Sequence, residues 1–383
     1  MNRTLFAEEH DLFRVAFRRF VEREVQPHVE RWEDEGICDR ELFAAAGRSG
    51  FLGVAAPADV GGGATADFRF SQIMLEEFER VGAGTVGSGV GLHNDVALPY
   101  LLRYATPEQA ARWLPSICAG ELILGIAMSE PGVGSDLAAL ATRASRDGDV
   151  YVVNGAKTFI SNGINGDLFV TAVRTGEDPG HAGISLLVVE RGTSGFTRGR
   201  NLAKVGRHAQ DTAELFFDDA RVPVANRLGE EGRGFRYMMS NLPQERLNIA
   251  ISALGAAQRA FELSLDYGRQ RHAFGQPVAS FQHSRFTLAE MATELAIAQS
   301  YVDSCVTAHN SGDLSPSDAA MAKWWVTELA TRVADRGLQL HGGFGYMDEA
   351  PISRAWRDSR VLTIYGGTTE IMKEIIGREL VGA

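Results

Sequence analysis

The spacing of hydrophobic residues changes twice along the chain. From Leu5 to about Gly120, apolar residues recur at helical spacing, which predicts amphipathic helices. From about Glu121 to Gly229, short runs of β-branched and aromatic residues alternate with turn residues, and this pattern predicts short strands. After Gly234 the helical spacing returns in long stretches. The chain is therefore predicted to form helices, then a small sheet, then helices again.

These stretches predict three domains. We expect an α-helical N-terminal domain over residues 1–120, a β domain over residues 121–230 and a helical C-terminal domain over residues 231–383. The length of 383 residues supports this division, because a single hydrophobic core usually stops growing at about 250–300 residues. Long helices are predicted over residues 281–309 and 319–340, and Gly342 and Gly343 end the second one.

Composition narrows the classes of function. The formal net charge of −11 argues against nucleic-acid binding, since contacts to phosphates need clustered Lys and Arg. Cys38, Cys118 and Cys305 are far apart and form no CxxC pair, so we expect reduced thiols and a cytoplasmic protein. We expect no signal peptide and no membrane span, because no apolar run is long enough. The histidines show no HxxH or HExxH spacing, which predicts no metal site.

One motif match is set aside because of its context. Residues 82–87 satisfy the GxGxxG pattern of dinucleotide-binding proteins. Here the pattern follows the helical segment Leu75–Arg80 instead of a strand. We therefore predict a loop that ends a helix.

Two other segments carry a family resemblance. Ile126–Asp136 and Ile364–Glu370 are similar to signature sequences of the acyl-CoA dehydrogenase family. The order of helices, strands and helices is also similar, and the resemblance covers essentially the whole chain. It implies the acyl-CoA dehydrogenase fold, with an α-helical N-terminal domain, a middle β-barrel-like domain and a C-terminal four-helix bundle.

The resemblance also implies a catalytic base. Most members of the family carry a carboxylate at the position of Gly366, where this chain has glycine. The segment Leu242–Ala250 is similar to the one in which the long-chain and isovaleryl branches keep their base, so Glu245 would remove the substrate α-proton. The likeness is closest to the long-chain branch. The Gly366 backbone N–H would hold the thioester oxygen. The resemblance assigns further substrate contacts to Ser135, Arg246 and Gly367.

The residues that flank Glu245 affect the expected pKa of its carboxyl group. A Glu–Arg pair in a helix usually lies on a solvated surface. Here the following turns, which include Leu247 and Ile249, are apolar, so the pKa of a carboxyl in this segment would rise toward the range of a general base. Pro243 is expected to restart the helix, and the new helix N-terminus would oppose that rise. The sequence leaves the net pKa open.

The resemblance implies FAD as the cofactor. Glycines let backbone N–H groups approach a ring or a phosphate, and Arg271 offers a guanidinium to a pyrophosphate. Without the family likeness, the same residues are typical of turns, strand core, a solvated arginine and helix caps. The implied FAD contacts are Ile126, Met128, Ser129, Gly134, Ser135, Phe159, Ile160, Ser161, Arg271, Phe274, Gln282, Gln339, Leu340, Gly342, Gly343, Thr368 and Glu370.

The implied activity is the α,β-dehydrogenation of a medium- to long-chain acyl-CoA to the trans-2-enoyl-CoA. Glu245 would take the α-proton while a hydride leaves the β-carbon for flavin N5. The likeness further implies electron-transfer flavoprotein as the electron acceptor and a homotetramer, in which the loop at Arg271 reaches the cofactor of a neighbouring subunit. Residues around Val90–Asp95 are expected to form the floor of the acyl pocket, where glycines suggest space for more than a short chain.

Three alternatives stay open on the sequence alone. An acyl-CoA oxidase would share the fold, although such proteins are usually much longer. A biosynthetic dehydrogenase would act on an acyl chain that is bound to a carrier protein instead of CoA. A flavin-bound scaffold without activity would result if Glu245 turned away from the substrate.

Overall fold

The computed structural model of the protein describes residues 3–176 and 180–382. Its N-terminal domain packs helices around an aromatic core that includes Phe17, Phe43 and Phe78. The rings of Phe17 and Phe78 meet edge to face with centroids 5.3 Å apart. The helices are α1 (Glu8–Glu24), α2 (Val29–Glu35), α3 (Arg40–Arg48), α4 (Phe68–Arg80), α5 (Gly84–Gly91), α6 (Leu98–Tyr104) and α7 (Pro107–Cys118).

Local sequence explains how helix α7 begins. Thr106 caps α7 and Gln109 caps Thr106 in return, while Pro107 occupies the first turn, where its missing N–H costs nothing. A π-helical turn over Leu92–Ala97 leads from α5 into α6. Such turns are rare and occur frequently at functional sites.

The middle domain is one mixed sheet. Its strands are β1 (Leu124–Ala127), β2 (Arg143–Asp147), β3 (Val150–Ser161), β4 (Leu168–Arg174), β5 (Ile184–Glu190), β6 (Phe196–Asn201), β7 (Thr212–Pro223) and β8 (Arg227–Leu228). Within the described residues they pair in the order β6-β7-β3-β2-β4-β5-β8, and β1 runs parallel to β4. The register between β3 and β7 shifts between Lys157 and Ile160, which marks an irregularity in the ladder.

The C-terminal domain is a bundle of long helices. Its elements are α8 (Gly234–Gln270), the short strands β9 (His272–Ala273) and β10 (Gln276–Pro277), then α9 (Gln282–Asn310), α10 (Pro316–His341), α11 (Pro351–Ser359) and α12 (Thr369–Val381). Helix α10 packs along α8, α9 and α12. Alanines such as Ala257, Ala298 and Ala330 line the contacts and let the helices approach closely.

The predicted fold is confirmed, with helices, a sheet and a helical bundle in the expected order. The helices predicted over residues 281–309 and 319–340 correspond to α9 and α10. The GxGxxG match follows helix α4, as predicted, but the loop is confined to residues 81–83 because α5 already begins at Gly84. Across the described part of the chain, no helix combines the length and the apolar character that crossing a bilayer requires.

Candidate active site

Glu245 lies inside helix α8, about three turns from its start. The prediction that Pro243 restarts the helix is wrong, because α8 runs through this proline without interruption. Proline removes one backbone donor and usually breaks a helix interior. Tertiary contacts hold the helix here, since Arg103 of α6 donates to the side-chain oxygen of Asn241, one turn before Glu245.

The Glu245 carboxyl is almost fully buried. The residue is 9% exposed, and burial raises its pKa to about 7. The Tyr100 hydroxyl donates to Glu245 Oε1 at 2.9 Å, and this hydrogen bond and the Arg246 cation act in the opposite direction. A helix N-terminus at Pro243 was expected to oppose this rise in pKa. The N-terminus of α8 lies about three turns before Glu245, which is too far for such an effect. A carboxyl with a pKa near neutrality suits a general base.

Tyr100 is a site residue that the sequence interpretation missed. It lies in α6 and is fully buried, and burial raises the pKa of its phenol well above the ordinary value. The phenol therefore remains a hydrogen-bond donor to Glu245. The only sequence signal was its residue type, because a buried tyrosine hydroxyl usually requires a partner.

Asp95 ties the α8 segment around Glu245 to the N-terminal domain. Its side chain lies in the π-helical turn and accepts hydrogen bonds from Ser71 at 2.7 Å and from Asn248 at 2.9 Å. Gln244 donates to its backbone carbonyl at 2.7 Å. Burial raises the pKa of Asp95 to about 7. Asp95 therefore holds Gln244, which precedes Glu245, and Asn248, which follows it by three residues.

Gly366 lies against the side chain of Ile249, which is one helical turn after Glu245 on α8. Its φ of +66° favours glycine, and a Cβ atom at this position would lie 2.3 Å from Ile249 Cδ1. Gly367 has a φ of +103°, which also favours glycine. The structure therefore brings Gly366 and Glu245, the two predicted catalytic residues, to the same part of α8.

Lys323 supports this glycine pair and was not predicted. Its Nζ donates to the carbonyl of Gly367 at 2.6 Å, and the side chain is fully buried in α10. Burial, with a smaller contribution from the nearby Arg246 cation, lowers the pKa of Lys323 to about 8. Arg246 is itself buried, and its Nε has no hydrogen-bond partner among the described residues. Two cations therefore lie beside the Gly366–Gly367 turn.

The β domain brings together the two segments predicted to contact the flavin. The backbone N–H of Thr158 donates to the carbonyl of Ser129 at 2.9 Å. The buried Lys157 donates to Met128 O at 3.2 Å and to Glu130 Oε1 at 2.8 Å. Ile126, Met128, Ser129 and Ser161 are partly exposed along these segments.

Phe159 and Ile160 face opposite ways at the irregularity in β3. Phe159 has a φ of +59° and is 72% exposed, so its ring is available to a ligand. Ile160 is packed in the core of the sheet, which leaves only its backbone for a cofactor contact. Gly134 and Ser135 lie in an exposed turn that follows the bridge between Glu130 and Val133.

A second group of predicted cofactor contacts lines a cavity of about 600 Å³ at the ends of α8 and α10. It contains a guanidinium, a side-chain amide and two glycines at which a Cβ atom would meet nothing within 4 Å. This donor set fits the pyrophosphate and adenine half of FAD. Phe274 and Gln282 lie outside its lining. The predicted residues at this cavity are Arg271, Gln339, Leu340, Gly342 and Gly343.

Arg271→Ala is expected to lower FAD affinity ~10-fold, because it removes a charge-assisted hydrogen bond to phosphate. The FAD-to-protein absorbance ratio after gel filtration measures retention, and light scattering measures assembly. Arg269→Ala is the matched control, since Arg269 is exposed in the last turn of α8, two residues earlier. Equal FAD content and equal mass in the two variants would remove Arg271 from the cofactor site.

Thr368 and Glu370 line a third region, a cavity of about 440 Å³ at the start of α12. Thr368 caps this helix, as its sequence position predicted, and its Oγ1 accepts from the N–H of Ile371 at 3.4 Å. The helix start offers free N–H groups to an anionic or polar ligand. Arg332 and Arg360 also line this cavity.

One group of side chains has the composition of a metal site. Ligand atoms of Glu9, His10 and Asp67 lie within 4.8 Å of one another. The Asp67 carboxylate already accepts hydrogen bonds from His10, Arg69 and Asn310. This pairing explains the group as a fixed contact between α1 and the start of α4, and we assign no metal to it.

Three family models match the chain in succession. They describe the N-terminal domain of acyl-CoA dehydrogenase at residues 7–121, its middle domain at residues 125–220 and its C-terminal domain at residues 232–381. The chain is 45% identical over 382 residues to the long-chain specific acyl-CoA dehydrogenase of Rattus norvegicus mitochondria. That alignment covers 99% of this chain and 88% of the relative.

Solved structures are similar over the same length. An acyl-CoA dehydrogenase from Geobacillus kaustophilus superposes with a TM-score of 0.97 at 52% identity, covering 99% of this chain and 100% of that chain. A glutaryl-CoA dehydrogenase from Mycobacterium smegmatis in complex with FADH2 gives 0.91 at 28% identity, covering 99% and 96%. A chain from the structure of the electron transferring flavoprotein of Acidaminococcus fermentans gives 0.94 at 32% identity, covering 100% of both.

Proposed function

The chain belongs to the acyl-CoA dehydrogenase family, and we propose that Glu245 is the base of its FAD-dependent oxidation of an acyl-CoA. One observation carries this assignment. Glu245 is buried with a pKa raised to about 7, and it lies one helical turn from the Ile249 side chain that contacts Gly366. Gly366 replaces the usual carboxylate, and Glu245 takes over its role. Both residues therefore lie close to Ile249.

The residues of this chain divide the work at the thioester. Glu245 removes the α-proton, and the Gly366 backbone N–H donates to the thioester oxygen, on which negative charge develops. Lys323 holds the carbonyl of Gly367, so the orientation of this turn is set before the substrate binds. The buried charges of Lys323 and Arg246 favour negative charge at the same place.

FAD, when bound, supplies the acceptor for the hydride that leaves the β-carbon. On the β domain, the segments Ile126–Ser129 and Phe159–Ser161 would hold its flavin end, because Phe159 and the Ser129 region face outward together. At the end of α8, Arg271 would pair with the pyrophosphate of the FAD in a neighbouring subunit, beside Gln339 and the two open glycines.

We propose a medium- to long-chain substrate. The support is the 45% identity to a relative named long-chain specific acyl-CoA dehydrogenase. The glycines of α5 do not supply the space that the sequence suggested, because they lie at helix contacts. A Cβ atom at Gly87 would lie 2.8 Å from Phe78, and one at Gly91 would lie 3.2 Å from Leu75.

We also propose an electron acceptor, an assembly and a cellular location. Reduced enzyme passes electrons to electron-transfer flavoprotein, which accords with the similar chain from the Acidaminococcus fermentans structure. A homotetramer would cover Phe274, which is 96% exposed on the loop after Arg271. The cytoplasmic location is supported by the three cysteines, all of which are free and buried.

Anaerobic reduction of the bound flavin by acyl-CoA substrates tests this function. We expect straight chains of medium and greater length to bleach the flavin faster than short or branched chains. Bleaching by a carrier-protein thioester but by no acyl-CoA would favour a biosynthetic enzyme. Stoichiometric peroxide in air would favour an oxidase, and absence of bleaching by any thioester would leave only a scaffold.

A further inference from the structure

A cavity of about 290 Å³ lies where the three domains meet, apart from the reaction centre and the cofactor cavities. Its walls come from the end of α4, the start of α5, the face of α8 at Ala256, helix α11 and the loop that carries Arg207. The exposed Glu30 pairs with Arg354 at 2.6 Å on its outer rim. We call this cavity the distal pocket and define it by Glu79, Thr85, Arg207, Ala256 and Asp358.

Two buried charged residues of the distal pocket have an atom without a hydrogen-bond partner among the described residues. Glu79 is 6% exposed, and its Oε1 accepts no hydrogen bond. Arg207 is 5% exposed; its Nη2 donates to Gly84 O at 2.9 Å and to Ser88 Oγ, but its Nε donates to no acceptor. Buried polar atoms are seldom left unpaired, so these two point to a ligand.

The two unpaired atoms are complementary. Glu79 Oε1 is an acceptor and Arg207 Nε is a donor, and the two groups interact electrostatically without a direct hydrogen bond. A hydroxyl group both donates and accepts, so one hydroxyl would satisfy both atoms. A carboxylate cannot donate, and it would add negative charge beside Asp358, which already raises the pKa of both Glu79 and Glu33.

Two elements lead from the reaction centre toward the distal pocket. Tyr365, which directly precedes Gly366, is partly buried and is electrostatically coupled to Arg207 and Glu79. On α8, Glu245 and Ala256 lie on the same face, because 11 residues complete about three turns. Ala256 lies about 16 Å beyond Glu245 along the helix axis, a distance that a long acyl chain can span.

We propose that the distal pocket binds the hydroxyl at the ω end of a hydroxylated acyl-CoA. This inference rests on the proposed function, since the thioester end of the same molecule must lie at Glu245. The far end of the chain then reaches Glu79 and Arg207, where its hydroxyl donates to Oε1 of the first and accepts from Nε of the second. The enzyme therefore selects substrates by the chemistry of the chain end as well as by length.

Matched pairs of acyl-CoA, each a straight chain and its ω-hydroxy derivative of equal length, test this proposal with the FAD-loaded enzyme. Anaerobic flavin reduction gives kcat/KM, and the flavin absorbance change on titration with each compound gives Kd. At one length we expect the ω-hydroxy compound to be favoured ~10-fold, because the buried acceptor and donor are then paired. At shorter lengths it should be disfavoured, because its hydroxyl is left among apolar side chains.

Glu79→Met removes the acceptor and keeps a good helix former of similar size. We expect it to lower the ω-hydroxy preference ~10-fold in both kcat/KM and Kd. Glu262→Met, the same change at an exposed position of α8 outside the distal pocket, is the matched control and should keep the wild-type ratio. Arg207→Met removes the donor. Residue 207 has a φ of +54°, which strains side chains other than glycine. If this variant fails to fold, Glu79→Met alone tests the distal pocket.

Each outcome bears on one hypothesis. A preference ratio that is constant over all lengths, and equal in Glu79→Met and Glu262→Met, would overturn the distal pocket. Tighter binding of an ω-carboxy derivative than of the ω-hydroxy compound would overturn the hydroxyl assignment. If no acyl-CoA reduces the flavin, the proposed function fails, while the Kd ratios still judge the distal pocket separately.

Discussion

Glu245→Gln is expected to keep the fold and the FAD but to slow dehydrogenation by ~10³-fold, since removal of a positioned base typically costs 10²–10⁴. Glutamine has the same shape, and its amide oxygen can still accept the hydrogen bond that Tyr100 donates at 2.9 Å. It cannot take up the α-proton. Stopped-flow anaerobic flavin reduction at saturating substrate measures the loss, with FAD content determined on the same sample.

Glu262→Gln provides the matched control, because Glu262 is an exposed acid further along α8. Its rate should equal that of the wild type. A flavin-replete Glu245→Gln variant that turns over at the rate of the Glu262→Gln control would end the assignment of the base.

The pH dependence of the wild type gives a second measure of the same residue. Burial raises the pKa of Glu245 to about 7, so the active carboxylate form should increase as pH rises and reach half its maximum near that value. Tyr100→Phe removes a hydrogen bond that stabilises the carboxylate. The midpoint should therefore shift to higher pH, whereas Glu245→Gln should lose this limb of the profile.

Transfer of the carboxylate to position 366 is expected to restore activity only when Ile249 is made smaller. Glu245→Ala abolishes the base, and the added Gly366→Glu change should recover little. The φ of +66° at Gly366 strains any other residue, and its Cβ atom would lie 2.3 Å from Ile249 Cδ1. Ile249→Ala removes that clash. The triple variant should then exceed Glu245→Ala by ~10-fold, short of full recovery because a misplacement of about 1 Å costs ~10²-fold.

The comparison uses four proteins: Glu245→Ala, Glu245→Ala with Gly366→Glu, the triple variant, and Ile249→Ala alone. The last reports the effect of the cavity by itself. Anaerobic flavin reduction is measured across several acyl lengths, because a base at a new backbone position should change the preferred length. A triple variant that binds FAD and substrate yet is no faster than Glu245→Ala at every length would show that Gly366 does not face the α-carbon.

Local patterns were enough to predict most of the elements. Helices α9 and α10 and the cap at Thr368 were predicted at positions close to those observed. These features depend on periodicity and on capping within a few residues. Prediction failed at Pro243, where the local rule favours a break and contacts between α6 and α8 outweigh it.

The glycines of α5 show a second limit of local reasoning. The sequence contains Gly87 and Gly91 near the expected pocket floor, and absent side chains suggested space. In the structure, each of these glycines allows a close approach of another helix, so the volume is already filled. A glycine marks the lack of a side chain, but only the packing shows whether a neighbour or a ligand uses the space.

The sequence by itself determined the family and the cofactor class and predicted Glu245 as the base, because these inferences depend on residue types at fixed spacings. Only the tertiary structure decided the environment of that carboxylate. Tyr100 reaches Glu245 across 145 positions, and Lys323 reaches Gly367 across 44. The pKa of a buried group depends on desolvation and on nearby charges, and both arise when distant segments pack together.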